Sequence, residues 1–313
     1  MILSAAGFFS AILLLGLTPT GITCVAQSPA GRKVDLSTVP DTTIQSEDYA
    51  EVRRHFHTKL LQRGPAPEQV CTATKPPEGV SEIEFSSGGL RLRAWINRPV
   101  GNALGKHPAV LFLHGGFCFD FSDWQGTQAF RDAGFIVMIP VLRGEEGQPG
   151  NFTMFYDEVD DMASAAEYLR SQPYIKGDEL YLAGHSTGGT LTLLTAMANP
   201  SFRAAASFCG SPDAVGYTRH TLTIGGEVPF DYTHPMELQV RSPKVYAASF
   251  KCPVRIYYGA QETHFALSSQ PTAKLARDHN VDVQAIAVDG GHVSALEAEI
   301  KLAIDFFHQS SFR

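Results

Sequence analysis

The stretch Glu179-Leu180-Tyr181-Leu182-Ala183-Gly184-His185-Ser186-Thr187-Gly188-Gly189-Thr190-Leu191-Thr192-Leu193-Leu194 decides how this chain is read. Leu180–Ala183 is a short apolar run of the kind that forms a strand buried on both faces. Gly188–Ala198 reads as a helix. Between them Gly184-His185-Ser186-Thr187-Gly188 is a G-x-S-x-G turn, which in a strand-to-helix context lifts its serine onto a sharp bend. Gly184 and Gly188 remove side chains that would collide on either flank. Such a serine is a candidate nucleophile; the plainer reading is a glycine-rich turn with a structural serine.

Working outward, short apolar runs alternate with helical stretches: Pro108–Leu113, Phe135–Pro140, Glu179–Ala183, Ala204–Cys209, Val254–Tyr258 and Val283–Val288. Strands of this type belong to a parallel sheet with crossover helices, here Asp157–Ser171, Gly188–Ala198 and Val293–Gln309. Upstream, Val80–Phe85 and Leu90–Ile96 alternate apolar and polar residues around Ser86-Ser87-Gly88-Gly89, which predicts an antiparallel hairpin. The expected fold is α/β: a mostly parallel central sheet with an N-terminal antiparallel hairpin and helices on both faces. Residues 210–251 form an unusually long connection carrying Tyr217, Phe230 and Tyr232; long connections tend to be functional. We read it as a lid-like insertion, with those three aromatics as candidates to line a substrate pocket or simply to pack the lid.

A nucleophile on such a turn needs an oxyanion hole, a base and an acid. His114-Gly115-Gly116-Phe117 follows the first parallel strand; the backbone N–H of Thr187, with that of Gly116 or Phe117, would supply the donors. His114 reads as a structural residue of that loop. Of the 11 histidines, His292 in Gly290-Gly291-His292 alone lies between the last strand and the last helix, where a base belongs. Glu262, just past the Val254–Tyr258 strand, is the expected acid, with Asp213 as the alternative. Ser186, His292 and Glu262 would then act through an acyl-enzyme intermediate, with no metal or organic cofactor. Asp120 and Asp123, interleaved with Phe119, Phe121 and Trp124, read either as a solvated acidic loop or as partners for a cationic substrate group.

These residues resemble the catalytic domain of the prolyl oligopeptidase family within the α/β-hydrolase superfamily. The likeness spans roughly residues 78–309. It includes His114-Gly115-Gly116, Arg143-Gly144-Glu145, Asp157 with Asp160-Asp161, Ser242-Pro243, Cys252-Pro253 and the triad. It implies an α/β-hydrolase fold and serine chemistry. The chain departs from the family in carrying Thr187 and Thr190 around the glycine pair, Glu262 in place of aspartate, and no room for a β-propeller. The expectation is therefore a hydrolase of carboxylic esters or other acyl derivatives. The alternatives are a prolyl oligopeptidase-like exopeptidase or acylaminoacyl hydrolase, and a non-catalytic binding protein on the same fold. Its partners would be a small ester or a short acyl or peptide substrate.

The rest of the chain sets bounds. It has 313 residues, 44% hydrophobic and 18% charged, with a net charge of −7. That composition excludes disorder and coiled coil. With no basic stripe, nucleic acid is not expected as a partner. Residues 1–31 carry no charge, and Gly7–Leu17 has the length of a signal-peptide core. Residues 1–26 read as a cleaved export signal, making the protein secreted or periplasmic. An uncleaved anchor, and with it membrane contact, is the other reading. Residues 27–77 form a helical linker extension and residues 78–313 the catalytic domain. Cys209 and Cys252 are expected at opposite ends of parallel neighbours, too far apart for a disulfide.

Overall fold

The structure, a computed structural model, describes residues 25–27, 33–67, 75–99 and 105–311. Nearly all of the expected export segment lies outside the described residues, as does Cys71. No helix among the described residues is long and apolar enough to cross a membrane.

Strands β1 (Val25–Gln27) and β2 (Lys33–Asp35) pair as a separate antiparallel ribbon. Helix α1 (Tyr49–His55) starts at Asp48, whose carboxylate accepts from the N–H groups of Ala50 and Glu51, satisfying donors that a helix start leaves open. It ends at His55, because Phe56 turns extended and packs its ring on Tyr156 and His234. Strands β3 (Val80–Ser87) and β4 (Leu90–Asn97) form the expected hairpin.

The alternating part follows as β5 (His107–Leu113), α2 (Phe121–Gly126), α3 (Gln128–Asp132), β6 (Ile136–Pro140), α4 (Asp157–Ser171), β7 (Ile175–His185), α5 (Thr187–Ala198) and β8 (Ala204–Phe208). It continues with α6 (Ala214–Thr223), α7 (Pro235–Gln239), β9 (Val254–Gly259), α8 (Thr263–Asp278), β10 (Val283–Val288) and α9 (Leu296–Ser311). The eight strands β3–β10 make one sheet in the order β10-β9-β8-β7-β5-β6-β4-β3. Strands β5–β10 run parallel, and β4 joins β6 antiparallel. This is the α/β-hydrolase fold, and the strand period of two explains its layers. Along β5 and β7, Leu111, Leu113, Leu180 and Leu182 face a core shared with α4 and α5. Val110, Phe112, Tyr181 and Ala183 face the opposite core, shared with α3 and α9.

Residues 210–251 hold α6, α7 and a 3₁₀ turn at Pro243–Ser249, and they are docked against the segment around α1. The Tyr49 hydroxyl donates to the Val240 carbonyl at 2.8 Å, and Gln45 N–H to the Val245 carbonyl at 2.9 Å. At the centre is Arg241, fully buried, paired with Glu237 at 2.6 Å. It also donates to the carbonyls of Met154 and Thr153 at 2.7 and 2.8 Å, and its guanidinium lies 3.9 Å from the Phe230 ring centre. Phe230, 1% exposed, is therefore part of this packing, the lid-packing role that was its alternative. Tyr217 packs edge-on to Phe155, and Tyr232 lies partly buried against the same core.

Candidate active site

The floor of the site is the β7–α5 junction. Ser186 holds φ +56 and ψ −116, outside the regions an ordinary residue prefers, a conformation costing ~1–3 kcal/mol that the surroundings must impose. They do so by backbone contact. A Cβ on Gly188 would stand 2.1 Å from the Leu113 carbonyl oxygen, and one on Gly184 would stand 2.5 Å from that of Gly188. Ser186 N–H donates to the Phe208 carbonyl at 2.8 Å, so the neighbouring strand pins the turn.

His292 arrives from the loop between β10 and α9, and its Nε2 is 2.9 Å from Ser186 Oγ. On its other side Nδ1 lies 3.2 Å from Glu262 Oε1 and 3.3 Å from Oε2. Glu262 stands between β9 and α8. Burial alone would raise its pKa, but the hydrogen bond and charge of His292 outweigh that and hold it below the usual carboxylate value. It is therefore anionic at neutral pH, which favours Nδ1–H and leaves Nε2 to receive the serine proton. The three residues, far apart in sequence, form a Ser-His-Glu triad. Asp213 is elsewhere: it caps α6 through Val215 N–H and pairs with Lys244 at 2.8 Å.

Two further residues complete the setting and were not read from the sequence. His185, the variable residue before the nucleophile, donates from Nε2 to the His292 carbonyl at 2.9 Å. Burial lowers its pKa to about 4, so it is neutral and ties the serine turn to the histidine loop. Phe265, in the first turn of α8, lies nearly parallel to the His292 ring at 5.7 Å. The position of His185 inside G-x-S-x-G was the available signal; for Phe265 there was none beyond its closeness to Glu262.

In the oxyanion loop, Thr187 Oγ1 donates to the Gly116 carbonyl at 2.7 Å, fixing the loop against the start of α5. Gly116 has φ +69, which glycine adopts without strain. His114 is fully buried and forms an ion pair with Glu145 at 3.1 Å. Burial would lower its pKa, yet the facing carboxylate raises it to about 9. Arg143 reaches Asp161 through two contacts of 2.6 Å and Asp157 at 3.0 Å, and so braces α4. Asp120 and Asp123 form the capping box of α2, so their carboxylates are engaged with backbone and do not await a cation; Phe119 and Trp124 are buried beside Trp95. Cys118 is disulfide-bonded. Cys209 and Cys252 are both free thiols; Cys209 follows β8 and Cys252 precedes β9, its parallel neighbour, so they lie at opposite ends as expected. Cys209, Glu262 and His292 bring polar atoms within 4.8 Å of one another. Hydrogen bonding among them accounts for that cluster, and we assign no metal to it.

The sequence profile of the Prolyl oligopeptidase family matches residues 119–301, more than half of the chain and all three triad residues. The chain belongs to the prolyl oligopeptidase family. The uncharacterized peptidase YtmA of Bacillus subtilis is 26% identical over 194 residues, which is 59% of this chain and 74% of that one. Among solved structures, the Pyrococcus horikoshii acylaminoacyl peptidase superposes with a TM-score of 0.61 at 18% identity, over 74% of this chain but 41% of its own. A Mycobacterium tuberculosis puromycin-hydrolyzing peptidase gives 0.62 at 18% identity, covering 76% of this chain and 41% of its own. These structures share the fold; the chain spans under half the length of each. With the triad in place, this member of the family carries the machinery of a serine hydrolase.

Proposed function

We propose that the protein is a serine peptidase of the acylaminoacyl or exopeptidase kind, acting on short peptides or N-acylated amino acids. The observation that carries this is the triad geometry, 2.9 Å from Ser186 to His292 and 3.2 Å from His292 to Glu262, within a chain of a peptidase family. The family membership moves the reading away from simple esters.

The mechanism follows from the geometry. Ser186 Oγ attacks the substrate carbonyl as its proton passes to His292 Nε2, and Glu262 steadies the imidazolium through Nδ1–H. The first N–H groups of a helix have no intrahelical acceptor. We therefore assign the Thr187 N–H to the developing oxyanion, with Gly116 or Phe117 N–H as its companion. His292 then protonates the departing amine, and an ester links the acyl group to Ser186. Water, deprotonated by His292, adds to that ester and releases the acid. Phe265 and Val293, the latter 72% exposed beside His292, give the entrance an apolar border suited to a side chain or acyl group. Export through residues 1–26 belongs to the same proposal, and N-terminal sequencing of the mature protein checks it.

The test is side-by-side turnover of N-acyl-aminoacyl anilides, free aminoacyl anilides and simple acyl esters of matched size. The peptidase reading expects kcat/KM for at least one anilide class to stand above background and to vary with the amino acid. Ester turnover with no cleavage of any anilide would return the protein to the esterases.

A further inference from the structure

A second carboxyl lies behind the triad acid, and the mechanism above leaves it unused. Glu299, in the first turn of α9, is completely buried. Its Oε1 is 3.6 Å from the Cys209 thiol, which donates toward it, and Oε2 is 4.0 Å away. Cys209 is the first residue past β8 and sits at φ +49, a left-handed conformation that side chains larger than glycine adopt at a cost. Its sulfur, a Glu262 oxygen and a His292 ring nitrogen all lie within 4.8 Å of one another. The buried thiol thus touches both carboxyls, one from the helix beneath and one from the triad.

We propose that Glu299 and Cys209 are positioning residues that extend the triad into a five-member chain, Glu299–Cys209–Glu262–His292–Ser186. A thiol has one proton to donate. When Glu299 carries its own proton, its O–H donates to the sulfur and the S–H is free to donate to Glu262. When Glu299 is ionised, its carboxylate draws the thiol proton back, and Glu262 loses a donor while gaining a second negative charge behind it. Both changes favour imidazolium over imidazole at His292. The base that Ser186 meets therefore depends on the protonation of a side chain that touches neither the serine nor the substrate.

The setting places this exchange near neutrality, since burial raises Glu299 to about 7. The titratable groups that face it are Cys209 from the end of β8, Glu262 from the loop after β9, His292 from the loop after β10 and Tyr257 from β9. The other elements against α9 meet its later turns: Phe130 of α3 stacks on Phe307, and Tyr181 of β7 bonds Ser311.

The inference rests on the serine-hydrolase reading of the triad but not on any particular substrate. The experiment is the second-order rate of fluorophosphonate labelling of the full chain between pH 5 and 9. It is run for wild type, Glu299→Gln, Cys209→Ala and Cys209→Ser, each checked for an unchanged melting profile. Glu299→Gln keeps a donor to the sulfur and never charges. Its acid limb is expected to move to lower pH by ~0.3–0.5 unit, a roughly two- to threefold faster rate on the limb. Cys209→Ala deprives Glu262 of its donor, and its limb is expected to move the opposite way. Cys209→Ser, which both donates and accepts, restores the wild-type profile. Limbs that coincide within 0.1 unit, or that shift in one common direction, overturn the proposal. No labelling of wild-type Ser186 overturns the triad itself, so the two failures are distinct.

Discussion

Under Ser186 the chain is held by backbone pressed against backbone, whereas residues 210–251 are held by charges withdrawn from water. In the first region Gly184 and Gly188 let the chain approach the carbonyls of Gly188 and Leu113 more closely than any side chain would allow. In the second, Arg241 and Glu237 are 1% and 2% exposed and face each other at 2.6 Å. A tight turn tolerates no added volume but has no charge to lose; a buried ion pair tolerates volume but not the loss of a partner. The difference teaches where precision resides. The nucleophile is positioned by steric exclusion, and its neighbouring insertion by a buried ion pair of its own, both members of which also hydrogen-bond Thr58 of the early segment.

The largest test leaves both regions standing. Ser186→Ala is expected to lower turnover by about 10⁶, as for a triad acting as a unit, with no loss of thermal stability. Turnover within tenfold of wild type would remove Ser186 from the mechanism. Next, Arg241→Met strands Glu237 in the interior and is expected to cost ~3–5 kcal/mol in urea unfolding. Adding Glu237→Leu should recover part of that loss, because apolar replacement of both partners removes the stranded charge. A single-variant cost under about 1 kcal/mol would show that the pair does not hold the insertion. On the other side of the comparison, Gly188→Ala adds only one methyl group and is expected to destabilise by ~1–3 kcal/mol, with slowed labelling of Ser186. A neutral outcome would mean that the turn yields, contrary to its description as a steric clamp.

The smallest effect comes from the buried ion pair behind the oxyanion loop, His114–Glu145. His114 is raised from 6.5 to about 9 in the folded protein by Glu145. A group raised by folding stabilises fully below its unfolded pKa, and that stabilisation is lost as pH climbs through the folded value. The difference in Tm between wild type and Glu145→Gln is therefore expected to be a few degrees at pH 6 and to vanish above about pH 9. A difference that grows with pH would reverse the assignment.

What the sequence made legible follows the same division. The central strands were readable because residues buried on both faces leave continuous apolar runs, and α4 was read with its observed ends, Asp157 and Ser171. Helix α8 was missed: it carries Pro271 and a polar run, Ser268-Ser269-Gln270, that hides its period. Ser186, His292 and Glu262 were legible because each follows a strand at a position the connectivity dictates. Cys209 and Glu299 were not, since their meeting depends on how far α9 tilts toward the end of β8. Asp120 and Asp123 were read as a solvated acidic loop or as partners for a cation, although their three-residue spacing is also that of a capping box. Phe230 was read as a pocket or a lid-packing residue, and only the fold brings Arg241 over its ring.

The contacts of α1 with the insertion also impose a schedule on the making of the protein. Tyr49 bonds a carbonyl 191 residues further along, and Thr58 bonds Glu237 across 179 residues. At synthesis rates of about 5–20 residues per second, the early segment waits on the order of 10–40 s for its partners to emerge. During that interval Tyr49, Val52 and Phe56 have no core to enter. The brace that finally secures the insertion is thus translated long before its partners and able to dock only after them. A nascent chain stalled before Arg241 should expose this segment to protease, while the full-length chain protects it.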